Sequence, residues 1–158
     1  MPLKLGNRTV FEPFCLIENI NIRSPTVSRI LIVEDEALVA MELGLLIEEM
    51  GHEVAGFATD SRMALDQAGA DSVDLALVDV HLADGPTGPE VGRRLADQGV
   101  SVLFITGNPT MISGAVKTAV GVLAKPADES LISDAVRYAL SRREGRDMSP
   151  PAQLMLLS

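Results

Sequence analysis

Arg29-Ile30-Leu31-Ile32-Val33-Glu34-Asp35-Glu36 is a short apolar run that ends abruptly in three carboxylates. Four apolar residues, Ile30 to Val33, make too short a run for an amphipathic helix and suit a strand covered on both faces. Working outward, runs of the same kind recur at Val54 to Phe57, Leu75 to Val78, Val102 to Ile105 and Val120 to Leu123. Those at Leu75 and Val102 are almost unbroken, as strands inside a parallel sheet should be.

The segments between them carry the helical period. Val39, Leu43, Leu46 and Met50 share one face, leaving Glu42, Glu48 and Glu49 for solvent, and Gly51 stands where a C-terminal cap is needed. Thr59 or Asp60 suits the N-cap of a second helix, and a third lies between Pro86 and Gln98. A fourth, between Asn108 and Lys117, is short and weakly patterned. The last begins near Asp128, buries Leu131, Ile132, Ala135, Val136 and Ala139, and ends around Arg143. Five strand-helix alternations predict an α/β fold, a doubly wound parallel sheet with helices on both faces. The expected organisation is an N-terminal extension over residues 1–28, one domain over 29–143, and a flexible tail over 144–158 whose apolar tip, Leu154 to Leu157, lacks an obvious role.

Composition narrows the function. A chain of 158 residues with 47% apolar and 22% charged residues is ordinary for one globular domain. The net charge of −9 and pI near 4.6 argue against direct nucleic-acid binding, which favours a clustered basic face. The stretch from Val10 to Ile22 is interrupted by Glu12, Pro13, Glu18, Asn19 and Asn21, so neither a secretion signal nor a membrane span is expected. The single Cys15 cannot form an internal disulfide, which fits a cytoplasmic location.

In open parallel sheets ligands bind beyond the carboxyl ends of the strands, so the residues following each apolar run carry the chemistry. They are Glu34-Asp35-Glu36 after the first, Asp79 after the third, Thr106-Gly107 after the fourth and Lys125-Pro126 after the fifth. Carboxylates gathered at one edge repel, and a cation resolves the conflict. Oxygen-only ligands suit Mg2+ or Mn2+ rather than zinc.

Val33-Glu34-Asp35-Glu36, Leu77-Val78-Asp79-Val80, Phe104-Ile105-Thr106-Gly107 and Ala124-Lys125-Pro126 together resemble the receiver domains of bacterial two-component response regulators, over roughly residues 29 to 142. Phe104 to Asn108 is also similar to receivers of general stress-response pathways. The resemblance implies a five-stranded flavodoxin-like sheet of order 2-1-3-4-5. It implies that Asp79 accepts a phosphoryl group, that Asp35 binds the metal directly and Glu34 through water, and that the His81 backbone carbonyl is a further ligand. Thr106 would hydrogen-bond a phosphoryl oxygen, and Lys125 would pair with the phosphoryl group and the carboxylates. The side chains of His81 and Asn108 would influence water access during dephosphorylation. The phosphodonor would be a sensor histidine kinase or a phosphotransfer protein. With only about fifteen residues after the last helix, output is expected through an unidentified downstream protein, with a homodimer left open; the alternative is a phosphate sink that drains a kinase. The aromatic residue common three positions before the lysine is here Val122.

Singly, these residues have plainer readings. An acidic triplet after a strand serves a helix N-terminus, the reading that suits Glu36; an aspartate closing a strand forms turns; Gly85-Pro86-Thr87-Gly88 is a turn without the spacing of a phosphate loop. Phosphatases with an aspartate nucleophile use a second aspartate two residues on, where this chain has His81. A flavodoxin-like nucleotide binder would need a phosphate loop where this chain has carboxylates.

Overall fold

The computed structural model describes residues 26–112, 116 and 118–157. The expectations placed on residues 1–25, among them Cys15 and most of the N-terminal extension, lie outside the described residues.

The apolar runs form strands and the periodic segments form helices. β1 (Arg29–Val33), β2 (Glu53–Ala58), β3 (Leu75–Val78), β4 (Ser101–Thr106) and β5 (Gly121–Ala124) alternate with α1 (Ala37–Glu49), α2 (Ser61–Ala70), α3 (Gly88–Asp97) and α4 (Glu129–Arg143). The first five strands are parallel in the order β2-β1-β3-β4-β5. Successive side chains of a strand point to opposite faces, and here both faces are apolar. Ile30, Ile32, Leu75, Leu77, Leu103 and Ile105 pack with α1 and α4, while Leu31, Val33, Ala76, Val78, Val102 and Phe104 pack with α2 and α3. The helices start where the sequence supplies acceptors: Asp60 takes the Met63 amide and Asp128 the Leu131 amide, each at 2.8 Å. Gly51, at φ 85°, follows α1 in the left-handed conformation that suits glycine.

Two elements depart from the sequence expectation. Asn108 to Lys117 was expected to hold a short helix; the chain instead makes a 3-10 turn at Pro109–Met111, followed by buried Ile112, while residues 113–115 and 117 lie outside the described residues.

The second departure is the C-terminal segment. In place of a free tail and five strands, the sheet has six strands among the described residues: β6 (Met155–Leu156) runs antiparallel to β5, with Gly121 opposite Leu156 and Val122 opposite Met155. Leu154, 6% exposed, plugs into the core beside α4. A Cβ at Gly121 would stand 2.7 Å from the Met155 carbonyl oxygen and 2.9 Å from Leu154 Cδ1, so the missing side chain is what admits the strand.

Candidate functional site

β1 and β3 are adjacent, so the residues that follow them emerge side by side. The Asp79 amide donates to the Val33 carbonyl (3.0 Å) and the Glu34 amide to that of Ala58 (2.9 Å), which continues the ladders one step beyond the strands. β4 and β5 bring in the other half, with the Lys125 amide donating to the Thr106 carbonyl at 2.9 Å. α3 closes the floor: Gly88 N–H donates to the Val80 carbonyl at 2.9 Å, and a Cβ on Gly88 would collide with the Asp79 carbonyl oxygen. The sequence shows Gly88 only as part of a turn; its role is to let a helix start directly against the backbone of Asp79.

Lys125 Nζ lies 2.8 Å from Glu34 Oε2 and 2.9 Å from Asp79 Oδ2, bridging the two buried carboxylates. The other oxygens are also engaged: Asp79 Oδ1 accepts the Val80 amide (2.6 Å) and Glu34 Oε1 the Glu36 amide (3.1 Å). Asp35 is exposed, and its carboxylate completes a cluster in which one oxygen each from Glu34, Asp35 and Asp79 lie within 4.8 Å of one another. Glu36 occupies the N-cap of α1 without a side-chain capping bond. Its neighbour Glu34 binds the Glu36 amide instead.

Burial pushes the Glu34 carboxyl above its ordinary value and the nearby Asp79 charge adds to that, while Lys125 and the Glu36 amide act the other way. For Lys125 burial opposes the charge, yet the hydrogen bonds and charges of Glu34 and Asp79 together outweigh it and raise the ammonium's pKa. Three carboxylates gather where one ammonium bonds to two of them, which leaves an excess of negative charge. An all-oxygen cluster of this kind is typical of a receiver's magnesium site.

Thr106 is fully buried at the end of β4, its Oγ1 accepting the Asn108 amide at 3.1 Å. His81 is exposed, and its Nδ1 lies 3.3 Å from Asn108 Nδ2, so the two side chains named for water access meet across the mouth of the site. The structure thus brings together Glu34, Asp35, Asp79 and Lys125, with Thr106 at the end of β4 and His81 and Asn108 on the adjoining loops. Val122 is buried at 1% exposure, in the sheet and not at the rim.

A doubly wound sheet whose carboxyl edge gathers carboxylates around a lysine is the architecture of a phosphorylation-controlled signalling receiver. The chain belongs to the response regulator receiver domain family, whose profile matches residues 30–137. It is 36% identical over 116 residues to the phyllosphere-induced regulator PhyR of Methylorubrum extorquens, a match covering 72% of this chain and 43% of that protein. The solution structure of the Erythrobacter litoralis PhyR receiver domain aligns at TM-score 0.63 and 32% identity, over 80% of this chain and 96% of that one. PhyR of Bartonella quintana, described as an anti-anti-sigma factor, aligns at TM-score 0.66 and 26% identity, over 87% of this chain and 57% of that one. The chain spans about half the length of the curated relatives it matches. It is a receiver domain of two-component signalling, similar to the receivers of PhyR-type regulators. Among the described residues, no helix is long and apolar enough to cross a membrane.

Proposed function

We propose that Asp79 accepts a phosphoryl group from the phosphohistidine of a sensor kinase or phosphotransfer protein in the cytoplasm. The observation that carries this reading is the bridge from Lys125 to Asp79 and Glu34, which fixes a nucleophilic carboxylate beside a compact, mobile cation. An Asp79 oxygen attacks phosphorus, the P–N bond breaks, and the leaving imidazole nitrogen keeps the electron pair. Such transfer needs alignment and positive charge around the equatorial oxygens more than it needs a base. Asp35, Asp79 and the His81 carbonyl would hold Mg2+ or Mn2+, with Glu34 acting through water, and the ion would supply charge neutralisation at the phosphoryl oxygens. Lys125 follows those oxygens, and the Thr106 hydroxyl donates to one of them once it turns from the Asn108 amide.

The domain division of 1–28, 29–143 and 144–158 accompanies this reading, with β6 as an addition to the receiver unit. Output is a phosphorylation-dependent contact with a downstream protein, a reading supported by likeness to a PhyR described as an anti-anti-sigma factor. The phosphate sink is the second reading, favoured by Val122, which offers no aromatic ring to swing inward on phosphorylation.

Phosphotransfer from histidine kinases tests the assignment. Wild type should acquire an acid-labile phosphate that chelation of divalent metal prevents, and Asp79→Asn should keep the fold while taking up none. Normal labelling of Asp79→Asn would overturn it. A partner whose affinity changes with beryllofluoride separates signalling from the sink.

A further inference from the structure

α1 buries one face properly, yet its opposite face is apolar as well. Leu38, Met41 and Leu45, at positions i, i+3 and i+7, are 76%, 60% and 61% exposed. Beside this stripe runs a groove of about 500 Å3 between α1 and α4, lined by Val39, Leu43, Leu46, Ile105, Ile132 and Lys125. Side chains of this size left together in water mark a surface that something covers. The helix also carries Glu42, Glu48 and Glu49 with no basic residue, and Glu129 lines the groove.

The chain enters the fold at the foot of this face. Thr26 Oγ1 donates to Glu144 Oε1 (3.0 Å) just past the end of α4, and the Ser28 amide donates to His52 Nδ1 (3.2 Å) just past the end of α1. Preceding that point are 25 residues in which Val10, Phe11, Phe14, Leu16, Ile17, Ile20 and Ile22 concentrate apolar surface, including two of the chain's four phenylalanines. Basic residues, Arg8 and Arg23, flank the stretch at its two ends, with Glu12 and Glu18 between them. Reach is sufficient: residues 23–25 span about 10 Å to the foot of α1 and residues 10–22 extend to about 43 Å, at roughly 3.3 Å each, against about 20 Å for the 13 residues of α1.

We propose that residues 10–22 dock across the exposed face of α1 and the α1–α4 groove, their apolar side chains covering Leu38, Met41 and Leu45 and their basic flanks facing the α1 glutamates.

The one cysteine of the chain, Cys15, permits the test on the full-length protein. With a nitroxide on Cys15, amide signals of residues 38–49 and 129–132 should lose most of their intensity relative to the reduced label, and those of α2 and α3 should not. Leu38→Glu combined with Met41→Glu, both at exposed positions, should restore the signals. A label at Asn19→Cys in a Cys15→Ser background repeats the measurement in case the first label obstructs docking. Broadening of α1 from either position supports the proposal. Absence from both, or broadening confined to another surface, overturns it. So does broadening in a mixture of labelled and separately isotope-enriched chains, which would assign the face to a second copy.

Discussion

Lys125→Met asks what the central ammonium does for the fold. Its removal leaves Glu34 (side chain 2% exposed) and Asp79 (10% exposed) facing each other without a shared cation. Breaking a buried ion pair from one side costs about 3–5 kcal/mol. Since Lys125 is itself 24% exposed and water can follow it in, a loss of about 2–3 kcal/mol is expected. For a domain of this size that corresponds to a fall in Tm of about 6–10 °C. The deficit should depend on pH. Burial already places the folded pKa of Glu34 above its unfolded value near 4.5, and loss of the ammonium raises it further. A carboxylate of that kind favours folding below its unfolded pKa, and that contribution is lost as pH rises through the folded pKa. The gap between variant and wild type should therefore be small near about pH 4 and widen toward about pH 7. Mg2+ should narrow it at neutral pH by returning positive charge to the carboxylates. With no tryptophan in the chain, urea unfolding is best followed by far-ultraviolet circular dichroism. Equal midpoints at neutral pH without metal, or a deficit constant across that range, would refute the argument.

Three further outcomes follow from single contacts. Leu154→Ala removes a side chain 6% exposed and should cost about 2–3 kcal/mol in urea unfolding; removal of residues 146–158 should cost at least as much, contrary to a dispensable tail. Gly88→Ala forces a methyl group against the Asp79 carbonyl and should lower stability by about 1–3 kcal/mol and slow phosphoryl uptake, measured on the same preparation. Burial lowers the His52 pKa from 6.5, so its contribution is present above that value and is lost as pH falls through the folded pKa. His52→Asn should flatten the corresponding part of the stability profile between about pH 7 and 5.

The parallel strands were legible because each is a local apolar run, and their observed ends fall within a residue or two of the runs. The site was legible for the same reason: Glu34, Asp79 and Lys125 directly follow strands and Thr106 ends one, so strand order alone brings the four to one edge. β6 was not legible, since two residues have no period and their place depends on a missing side chain at Gly121, more than thirty residues earlier. The exposed stripe of α1 escaped a reading that sought a single buried face and assigned the glutamates to the other. Which of the two neighbouring acids is buried against the lysine was also out of reach. Glu34, one residue past β1, turns inward onto Lys125, while Asp35, at the bend that follows, is exposed. Composition counts them as two equal charges. The backbone makes one a buried partner of the lysine and leaves the other on the open side, where a hydrated cation can approach without first displacing the ammonium.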